Sequence, residues 1–220
     1  MSHMNDRSGC TALMEIMERL RGEGGCPWDR AQTHESLKQY FLEEAYEVAE
    51  AIDNKDPENL KEELGDMLLQ VVFHAQIAAE DGDFTLAEVS RGICDKMVRR
   101  HPHIFGGAGE GQSWEELKRA EKGQTNDKAA ALSVPRAMPA LMRAQKVQKK
   151  AGAPEEEAGK HLLSLCQSLC ARAPEEGATE AEIGALLWAA ALFARKFDIN
   201  AELALTNATE QFINNIENAG

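Results

Sequence analysis

Aromatic residues, basic residues and long apolar runs are all scarce in this chain of 220 residues. Aromatic side chains make up 5% of it, which argues against an aromatic-rich β-sandwich. No apolar run approaches the roughly 20 residues that a membrane-spanning helix needs. Lysine and arginine total 24 against 37 acidic residues, which gives a formal charge of −13. This deficit argues against nucleic acids and anionic membrane surfaces as partners, since both are bound by an excess of positive charge.

Cysteine is present, but not in the patterns that form disulfide frameworks or zinc sites. The sequence has no Cys-x-x-Cys pair, and its cysteines are odd in number: Cys10, Cys26, Cys94, Cys166 and Cys170. We therefore predict buried, reduced thiols, as in a cytoplasmic protein. The first residues are polar and lack the apolar segment of a secretory signal, which favours the same cytoplasmic location.

Apolar residues recur with the helical period through almost the whole chain, and no segment sustains the alternation of a β-strand. We therefore predict an all-α protein with N-caps at Thr33, Asp56 and Thr85. Loops are predicted where Pro and Gly cluster, around Trp28 and over residues 101–111, and a linker over residues 123–134. The predicted helices cover residues 13–20, 36–53, 58–79, 86–100, 114–122, 136–150, 156–172, 179–197 and 201–216.

A short internal repeat divides the sequence into two halves. The segment Glu62–Leu69 has a counterpart 119 residues later in Ala181–Trp188, and both contain an acidic residue followed by an aliphatic residue and glycine. Self-similarity at a fixed offset indicates a repeated structural unit. We therefore predict two copies of one helical unit, with domains at residues 1–128 and 129–220.

The first copy carries pairs of carboxylates on two consecutive helices. Glu44 and Glu47 are three residues apart on the first helix, and Glu63 and Asp66 are three apart on the second. Residues three apart share a helix face, so all four can converge in an antiparallel hairpin. The pattern of the first helix predicts that its buried stripe is apolar and lies beside the carboxylates, comprising Phe41, Leu42, Ala45, Val48, Ala49 and Ile52.

The second helix of this hairpin is apolar nearly all round, which predicts burial. Its polar stripe continues from Asp66 to Gln70 and His74 and contains no Lys or Arg. A buried carboxylate without a partner costs several kcal/mol, so a divalent cation is the natural complement. The competing interpretation is an acidic helix face exposed to solvent.

Four carboxylates without His or Cys favour a hard cation, Mg²⁺ or Mn²⁺. A di-iron bundle would need Glu-x-x-His, which the sequence lacks. Magnesium usually keeps several waters and meets substrate phosphates. Lys96 and Arg100 are four residues apart on the following helix and form a suitable phosphate clamp. Alternatively, they are surface cations that complement the dipole at a helix C-terminus.

Several motifs together make the sequence resemble the MazG family of all-α nucleoside triphosphate pyrophosphohydrolases. They are Gly25-Cys26-Pro27-Trp28-Asp29, Glu43-Glu44-x-x-Glu47, Glu63-x-x-Asp66, Arg99-Arg100-His101-Pro102-His103 and the segment Pro139–Lys146 that opens the second copy. The resemblance implies a four-helix bundle completed by dimerisation, and hence a homodimer. It also implies hydrolysis of a nucleoside triphosphate between the α- and β-phosphates, which yields a monophosphate and pyrophosphate.

The resemblance further implies roles for individual residues. The matching metal ligands are Glu44, Glu47, Glu63 and Asp66, with Glu43 as the outer member of its motif. The matching phosphate-binding pair is Lys96 and Arg100. A bound Mg²⁺ would neutralise the triphosphate and stabilise the leaving pyrophosphate.

Two further roles are left open at this point. Either Glu43 or Glu47 would accept the proton of the attacking water, and the sequence does not choose between them. Trp28 and Trp114 are near loops, where they would stack on the nucleobase or pack one end of the bundle.

The second copy lacks most of these groups. At the offset of 119 residues, the positions of Glu44, Glu47 and Asp66 are taken by Leu163, Cys166 and Ala185, and only Glu63 keeps a counterpart, Glu182. Past a shorter loop, the phosphate clamp falls on Gln211 and Asn215. We therefore predict an inactive second domain that serves packing or dimerisation.

Two functions fit these observations. The first is a magnesium-dependent nucleoside triphosphate pyrophosphohydrolase of broad or narrow base specificity. The second is a non-catalytic acidic helical module, dimerising or regulatory, with a structural metal site. The presence of Lys96 and Arg100 favours the enzyme, because a module without a phosphate substrate has no use for cations beside an acidic cluster.

Overall fold

A computed structural model describes residues 9–106, 126–171 and 177–218. These ranges contain helices and no strand, which confirms the predicted all-α class. No helix among them is long and apolar enough to cross a membrane. The helices are α1 Gly9–Arg21, α2 Pro27–Ala31, α3 His34–Asp53, α4 Pro57–Asp81, α5 Leu86–Arg100, α6 Pro102–Phe105, α7 Asp127–Leu132, α8 Ala140–Lys150, α9 Ala158–Cys170, α10 Glu180–Arg195 and α11 Ala201–Glu217.

The chain divides into two compact units, Met1–Glu110 and Gly111–Gly220. In the first unit α3, α1 and α5 all pack against α4. In the second unit α9, α8 and α11 pack in the corresponding way against α10. The interpretation of the halves as domains 1–128 and 129–220, the second of them degenerate, stays a prediction.

Side-chain caps begin the helices that carry the carboxylates, as the sequence predicts. The Thr33 hydroxyl accepts the backbone N–H of Ser36 at the start of α3. The Asp56 carboxylate accepts two backbone N–H groups at the start of α4, where Pro57 occupies the first helical position. Thr85 and Glu88 form a reciprocal capping box at the start of α5. Each cap satisfies donors that a helix start leaves unpaired and thereby fixes where the helix begins.

Four sequence assignments differ from the structure or lie outside it. Trp28 is on the short helix α2 rather than on a loop, because Pro27 occupies the first helical position. Likewise, the short helix α6 begins at Pro102 within the predicted loop 101–111. Helix α7 occupies half of the predicted linker, and its N-cap Asn126 accepts the backbone N–H of Ala129. The predicted helix 114–122 lies outside the described residues.

The apolar core of the first unit is centred on α4 and its contacts with α1 and α3. It comprises the buried side chains Met17, Leu37, Val72, Phe73 and Ile77. The predicted buried stripe of α3 is wrong for its largest members, since Phe41 is 37% exposed, Leu42 45% and Ile52 55%. The face of α3 that meets α4 instead carries Leu37 and Ala51 with half-buried Glu44 between them. A polar site takes the place that an apolar pattern alone assigns to the core.

The cysteines are free, as predicted, but they are not buried as predicted. Cys10, Cys94 and Cys170 are exposed, and Cys26 and Cys166 are half-buried. Small helical units bury only a narrow stripe of each helix, so a thiol outside that stripe stays in contact with solvent.

A buried arginine connects α1, α2 and α4. Arg21 donates from Nε to both carboxylate oxygens of Glu80, at 3.0 and 3.1 Å, and from Nη2 at 2.8 Å. Its Nη1 also donates to the backbone carbonyls of Asp29 and Gln32. The loop before α2 turns tightly, and a Cβ at Gly25 would clash with the Leu20 carbonyl. Arg21 therefore fixes the position of α2 and of Trp28 on it.

We expect Glu80→Gln to destabilise the protein by about 1–2 kcal/mol, because the buried Arg21 guanidinium loses its charged partner while Glu80 itself is partly solvated. Urea unfolding at neutral pH measures this. The hydrogen bonds from Arg21 lower the pKa of the Glu80 carboxyl. Its contribution is therefore present above the ordinary glutamate pKa and is lost as the pH falls, so the two proteins converge in acid.

The matched control is Glu58→Gln, which removes the carboxylate of an exposed i,i+3 pair with Lys61. A change below about 0.5 kcal/mol is expected there. Equal effects of the two substitutions would contradict the structural role given to Arg21.

Candidate metal and nucleotide site

The hairpin of α3 and α4 brings three carboxylates together. Oxygen atoms of Glu44, Glu63 and Asp66 all lie within 4.8 Å of one another, and the three side chains are half-buried. Glu63 and Asp66 share one face of α4, and Glu44 faces them from α3. The structure thus assembles three of the four predicted metal ligands into one cluster.

The cluster brings like charges together in a partly desolvated environment. Burial raises the pKa of the Glu44 carboxyl, and the negative charges of Asp66 and Glu47 add to the rise. Burial also raises the pKa of Glu63, followed by the charges of Glu47 and Asp66. The charges that raise these two pKa values are all negative. The site therefore favours either protons or a bound cation.

The other two glutamates of the α3 motif differ in their positions. Glu47 lies beside the cluster, where its negative charge raises the pKa of Glu44. It is not among the three residues whose oxygens come within 4.8 Å of one another. Glu43 is exposed and accepts a hydrogen bond of 2.8 Å from Gln39 Nε2. Of the two proposed proton acceptors, Glu47 is therefore the one adjacent to the cluster.

Beyond Asp66, the two remaining members of the polar stripe of α4 have different neighbours. Gln70 is buried, and its amide lowers the pKa of the neighbouring Glu44 carboxyl, against the larger opposing effect of burial. The next member, His74, instead stacks against His34, with Nδ1 atoms 2.7 Å apart. Sequence spacing places Gln70 on the same face of α4 as Asp66, but its position next to Glu44 depends on the packing of α3 against α4.

The predicted phosphate clamp is on α5. Lys96 and Arg100 are one turn apart, and both are half-buried. Because α5 follows α4 after a short turn at Gly82 and packs against it, the two helices run antiparallel. The position of Lys96 and Arg100 relative to Glu63 and Asp66 stays a prediction.

Of the two tryptophans proposed to contact a base, the structure describes one. Trp28 is 52% exposed and makes edge-to-face contacts with Tyr40 and Phe73, with ring centroids 6.2 and 6.5 Å away. Tyr40 is an aromatic neighbour that the sequence reasoning missed, since it is twelve residues away along the chain. Trp114 lies outside the described residues.

A separate apolar cavity of about 550 Å³ lies on the other flank of the hairpin. Its lining includes Phe41 from α3, His74 from α4 and Val89 from α5. Burial lowers the pKa of His74, and the neighbouring His34 adds to this. The apolar face of α3 that the first unit leaves open therefore forms part of the wall of this cavity.

The donor set of the cluster fits a hard divalent cation. Three carboxylate groups supply oxygen ligands only, which is the preference of Mg²⁺ and Mn²⁺. Neighbouring negative charges raise the pKa of Glu44 and of Glu63, and a bound cation would compensate them. A Mg²⁺ ion bound by few carboxylates keeps positions for waters and phosphate oxygens.

In the second unit, the acidic residue that the repeat predicts as the counterpart of Glu63 is part of a helix cap. Glu182 accepts hydrogen bonds of 2.9 Å from the backbone N–H and the hydroxyl of Thr179. It is thus the third residue of a capping box at the start of α10. Its counterpart Glu63 lies in the second turn of α4, which begins at Pro57. The carboxylate at this position therefore completes a helix cap in the second unit.

We expect Glu44→Gln to stabilise the metal-free protein at neutral pH, with a melting temperature higher by about 1–3 °C, because it removes one of several like charges. The pKa of Glu44 is raised in the folded state, so the folded protein holds this proton more tightly than the unfolded chain. Wild-type stability therefore increases as the pH falls from neutral, and the two proteins converge.

Thermal unfolding in a chelator tests this, with Glu43→Gln as the control because Glu43 lies outside the cluster. Saturating Mg²⁺ should reverse the order and stabilise the wild type more than Glu44→Gln. A lower melting temperature for metal-free Glu44→Gln would contradict the electrostatic account.

Comparison with known proteins agrees with this geometry. The MazG nucleotide pyrophosphohydrolase domain matches residues 32–105, which include the whole carboxylate cluster and the α5 cations. The chain is 44% identical over 211 residues to the nucleoside triphosphate pyrophosphohydrolase/pyrophosphatase MazG of Thermotoga maritima, covering 91% of this chain and 81% of that protein.

Two more relatives extend over the same length. The nucleoside triphosphate pyrophosphohydrolase of Escherichia coli is 39% identical over 217 residues, which cover 91% of this chain and 82% of that protein. An uncharacterized Bacillus subtilis protein, YabN, is 43% identical over 217 residues, covering 92% of this chain and 44% of that protein. The chain belongs to the MazG family of nucleotide pyrophosphohydrolases.

Proposed function

We propose that this protein is a magnesium-dependent nucleoside triphosphate pyrophosphohydrolase that converts ribo- or deoxyribonucleoside triphosphates to monophosphates and pyrophosphate. The observation that carries the proposal is the cluster of Glu44, Glu63 and Asp66, whose oxygens converge inside the segment that matches the family. Relatives that cover most of the chain carry the name of this activity. The reaction is assigned to the first unit.

In this proposal Glu44, Glu63 and Asp66 hold the divalent cation, with Glu47 as a further ligand or neighbour. Mg²⁺, or Mn²⁺ in its place, supplies charge neutralisation of the triphosphate and of the leaving pyrophosphate. The partly desolvated carboxylates favour a cation because their negative charges raise one another's pKa. The acidic cluster thereby becomes a binding site for a polyanionic substrate.

Glu47 is the stronger candidate for the general base. It lies beside the cluster and its charge raises the pKa of Glu44, whereas Glu43 is exposed and accepts a hydrogen bond from Gln39. A general base must reach the proton that it removes, directly or through one water. Glu43 then keeps the outer position of the motif without contact with the cluster.

Lys96 and Arg100 are proposed to bind the outer phosphates. They project from adjacent turns of α5, which packs antiparallel to the helix that carries Glu63 and Asp66. Charge-assisted hydrogen bonds to phosphate oxygens would align the triphosphate with the cluster. Trp28 is proposed to stack on the base, since half of its surface is exposed and Phe73 and Tyr40 fix its ring.

The second unit is proposed to be inactive and to serve packing or dimerisation. Its one retained acidic residue, Glu182, completes a capping box at the start of α10. A homodimer is also proposed for the whole protein, because α3 to α5 leave large apolar side chains exposed: Phe41, Leu42, Ile52, Leu68, Phe84, Val89 and Ile93. A second copy of the chain would cover this face, as in a bundle completed by dimerisation.

Pyrophosphate release from the common nucleoside triphosphates, measured with Mg²⁺ and in a chelator, tests the assignment. We expect Glu44→Gln to reduce kcat/KM by at least ~100-fold, since it removes a cation ligand. Glu182→Gln should leave the rate unchanged, because Gln also completes a capping box.

Loss of activity in both variants would contradict the assignment to the first unit. Absence of pyrophosphate release by the wild type with every nucleotide would favour the non-catalytic module with a structural metal site.

Lys96→Met is expected to raise KM about 10-fold with a smaller effect on kcat, because one cation that binds ground-state phosphates is lost. Steady-state kinetics with the preferred nucleotide measure the two constants. The matched control is Arg91→Met, an exposed cation in the first half of the same helix. Equal changes in both variants would indicate a general electrostatic effect and contradict the clamp.

A further inference from the structure

The segment Pro139–Lys146, which opens the second copy, has no task in the proposed reaction. It includes the start of α8, and residues 136–150 contain five basic and no acidic side chains in a chain whose formal charge is −13. Arg136, in the turn before α8, and Arg143, on α8, line a cavity of about 380 Å³. The second unit thus places two arginines on the wall of one small cavity.

Arg143 is half-buried and has no polar partner in the described part of the chain. Its Nε atom is buried without a hydrogen bond to any described residue. Two other arginines whose side chains are mostly buried are paired with carboxylates. Arg21 lies 2.8 Å from Glu80, and Arg195 lies 3.2 Å from Glu155. A buried charge is costly unless it is paired, so Arg143 lacks the anion that the other two arginines have.

The rest of the cavity is apolar. Its lining includes Leu132, Val134, Val147 and Trp188, and no acidic side chain of the described residues contributes to it. Trp188 is 42% exposed. The buried Gln148 donates a hydrogen bond of 2.9 Å to the backbone carbonyl of Trp188 and so holds α10 against α8. The cavity therefore combines two guanidinium groups with an aromatic ring and an apolar wall.

We propose that this cavity is a second nucleotide site, in which Arg136 and Arg143 bind the phosphate of a nucleoside monophosphate and Trp188 stacks on its base. Guanidinium groups bind phosphate oxygens through charge-assisted hydrogen bonds, and tryptophan stacks on bases of every kind. Two positive charges match the charge of about −2 on a phosphate monoester. No carboxylate is present to hold a cation, so the site is independent of metal and of the proposed reaction.

The size of the cavity agrees with a mononucleotide. Ligand cavities in proteins measure roughly 300–1,000 Å³ and are mostly apolar, with a few polar groups that fix the orientation of the ligand. At about 380 Å³ this cavity is near the lower end of that range. It therefore suits a single nucleotide better than a dinucleotide or a longer chain.

The test is calorimetric titration of the metal-free, full-length protein with AMP, GMP, CMP and UMP in a chelator, which leaves the carboxylate cluster without its cation. We expect saturable binding that Arg143→Met weakens about 10–100-fold, the range for lost hydrogen bonds between charged groups. The matched control is Lys146→Met, which removes an exposed positive charge one turn further along α8, where Lys146 lines a different cavity. This control should change the affinity by less than about 2-fold, because solvent and salt screen exposed charges.

Further measurements separate binding from packing. Ligand-free Arg143→Met should melt at or above the temperature of the wild type, because an unpaired buried charge is removed. The nucleotide should raise the melting temperature of the wild type and not that of this variant. Trp188→Ala should weaken nucleotide binding about 10-fold, and Trp188→Phe should retain most of it, because a ring remains for stacking. A lower melting temperature of ligand-free Arg143→Met with unchanged nucleotide affinity would overturn the inference and make Arg143 a packing residue.

The remaining outcomes also decide. Inorganic pyrophosphate that binds as tightly as the monophosphates, and equally well in Trp188→Ala, would overturn the nucleotide assignment in favour of a simple anion site. Absence of saturable binding by the wild type would overturn the inference, and a changed oligomeric state of Arg143→Met would then assign Arg143 to a carboxylate of a second copy. Binding that is lost in Glu44→Gln but kept in Arg143→Met would likewise overturn it. Absence of pyrophosphate release with retained nucleotide binding would overturn the proposed function alone.

Discussion

Repulsion among three carboxylates at the contact of α3 and α4 is the constraint on which the first unit depends. Glu44, Glu63 and Asp66 present oxygens within 4.8 Å of one another, and neighbouring negative charges raise the pKa of Glu44 and of Glu63. Such an arrangement opposes folding unless protons or a cation neutralise it. The metal-free protein is therefore locally destabilised at the place where a divalent cation would bind.

The surrounding frame supplies the rigidity that keeps these charges together. Side-chain caps fix the starts of α3 and α4, and the apolar contacts of Phe73 and its neighbours hold the hairpin to α1. Arg21 joins α4 to the carbonyls before α3 and so holds the Trp28 helix against the hairpin. In the second unit, the positions that the repeat predicts as equivalent carry Leu163, Cys166 and Ala185, and Glu182 completes a capping box.

Much of this architecture could be predicted from sequence, because the signals are local. The caps at Thr33, Asp56 and Thr85 and the spacing of Glu63 and Asp66 depend on residues a few positions apart. Long-range features could not be derived in this way. The exposure of Phe41 and the contact of Gln70 with Glu44 follow from how α3 and α4 pack, and helix periodicity does not report which apolar face a partner covers. Sequence spacing likewise predicts that Glu47 lies near the other carboxylates. It does not show that the Glu47 oxygens lie outside the group formed by Glu44, Glu63 and Asp66.

A direct test of the central claim is the location of the cation. Crystals grown with Mn²⁺ and a non-hydrolysable nucleoside triphosphate would give an anomalous difference map. The account predicts a peak bound by carboxylate oxygens of Glu44, Glu63 and Asp66 and adjacent to the phosphates, with no corresponding peak at Glu182. A peak elsewhere, or nucleotide bound away from this cluster, would contradict it.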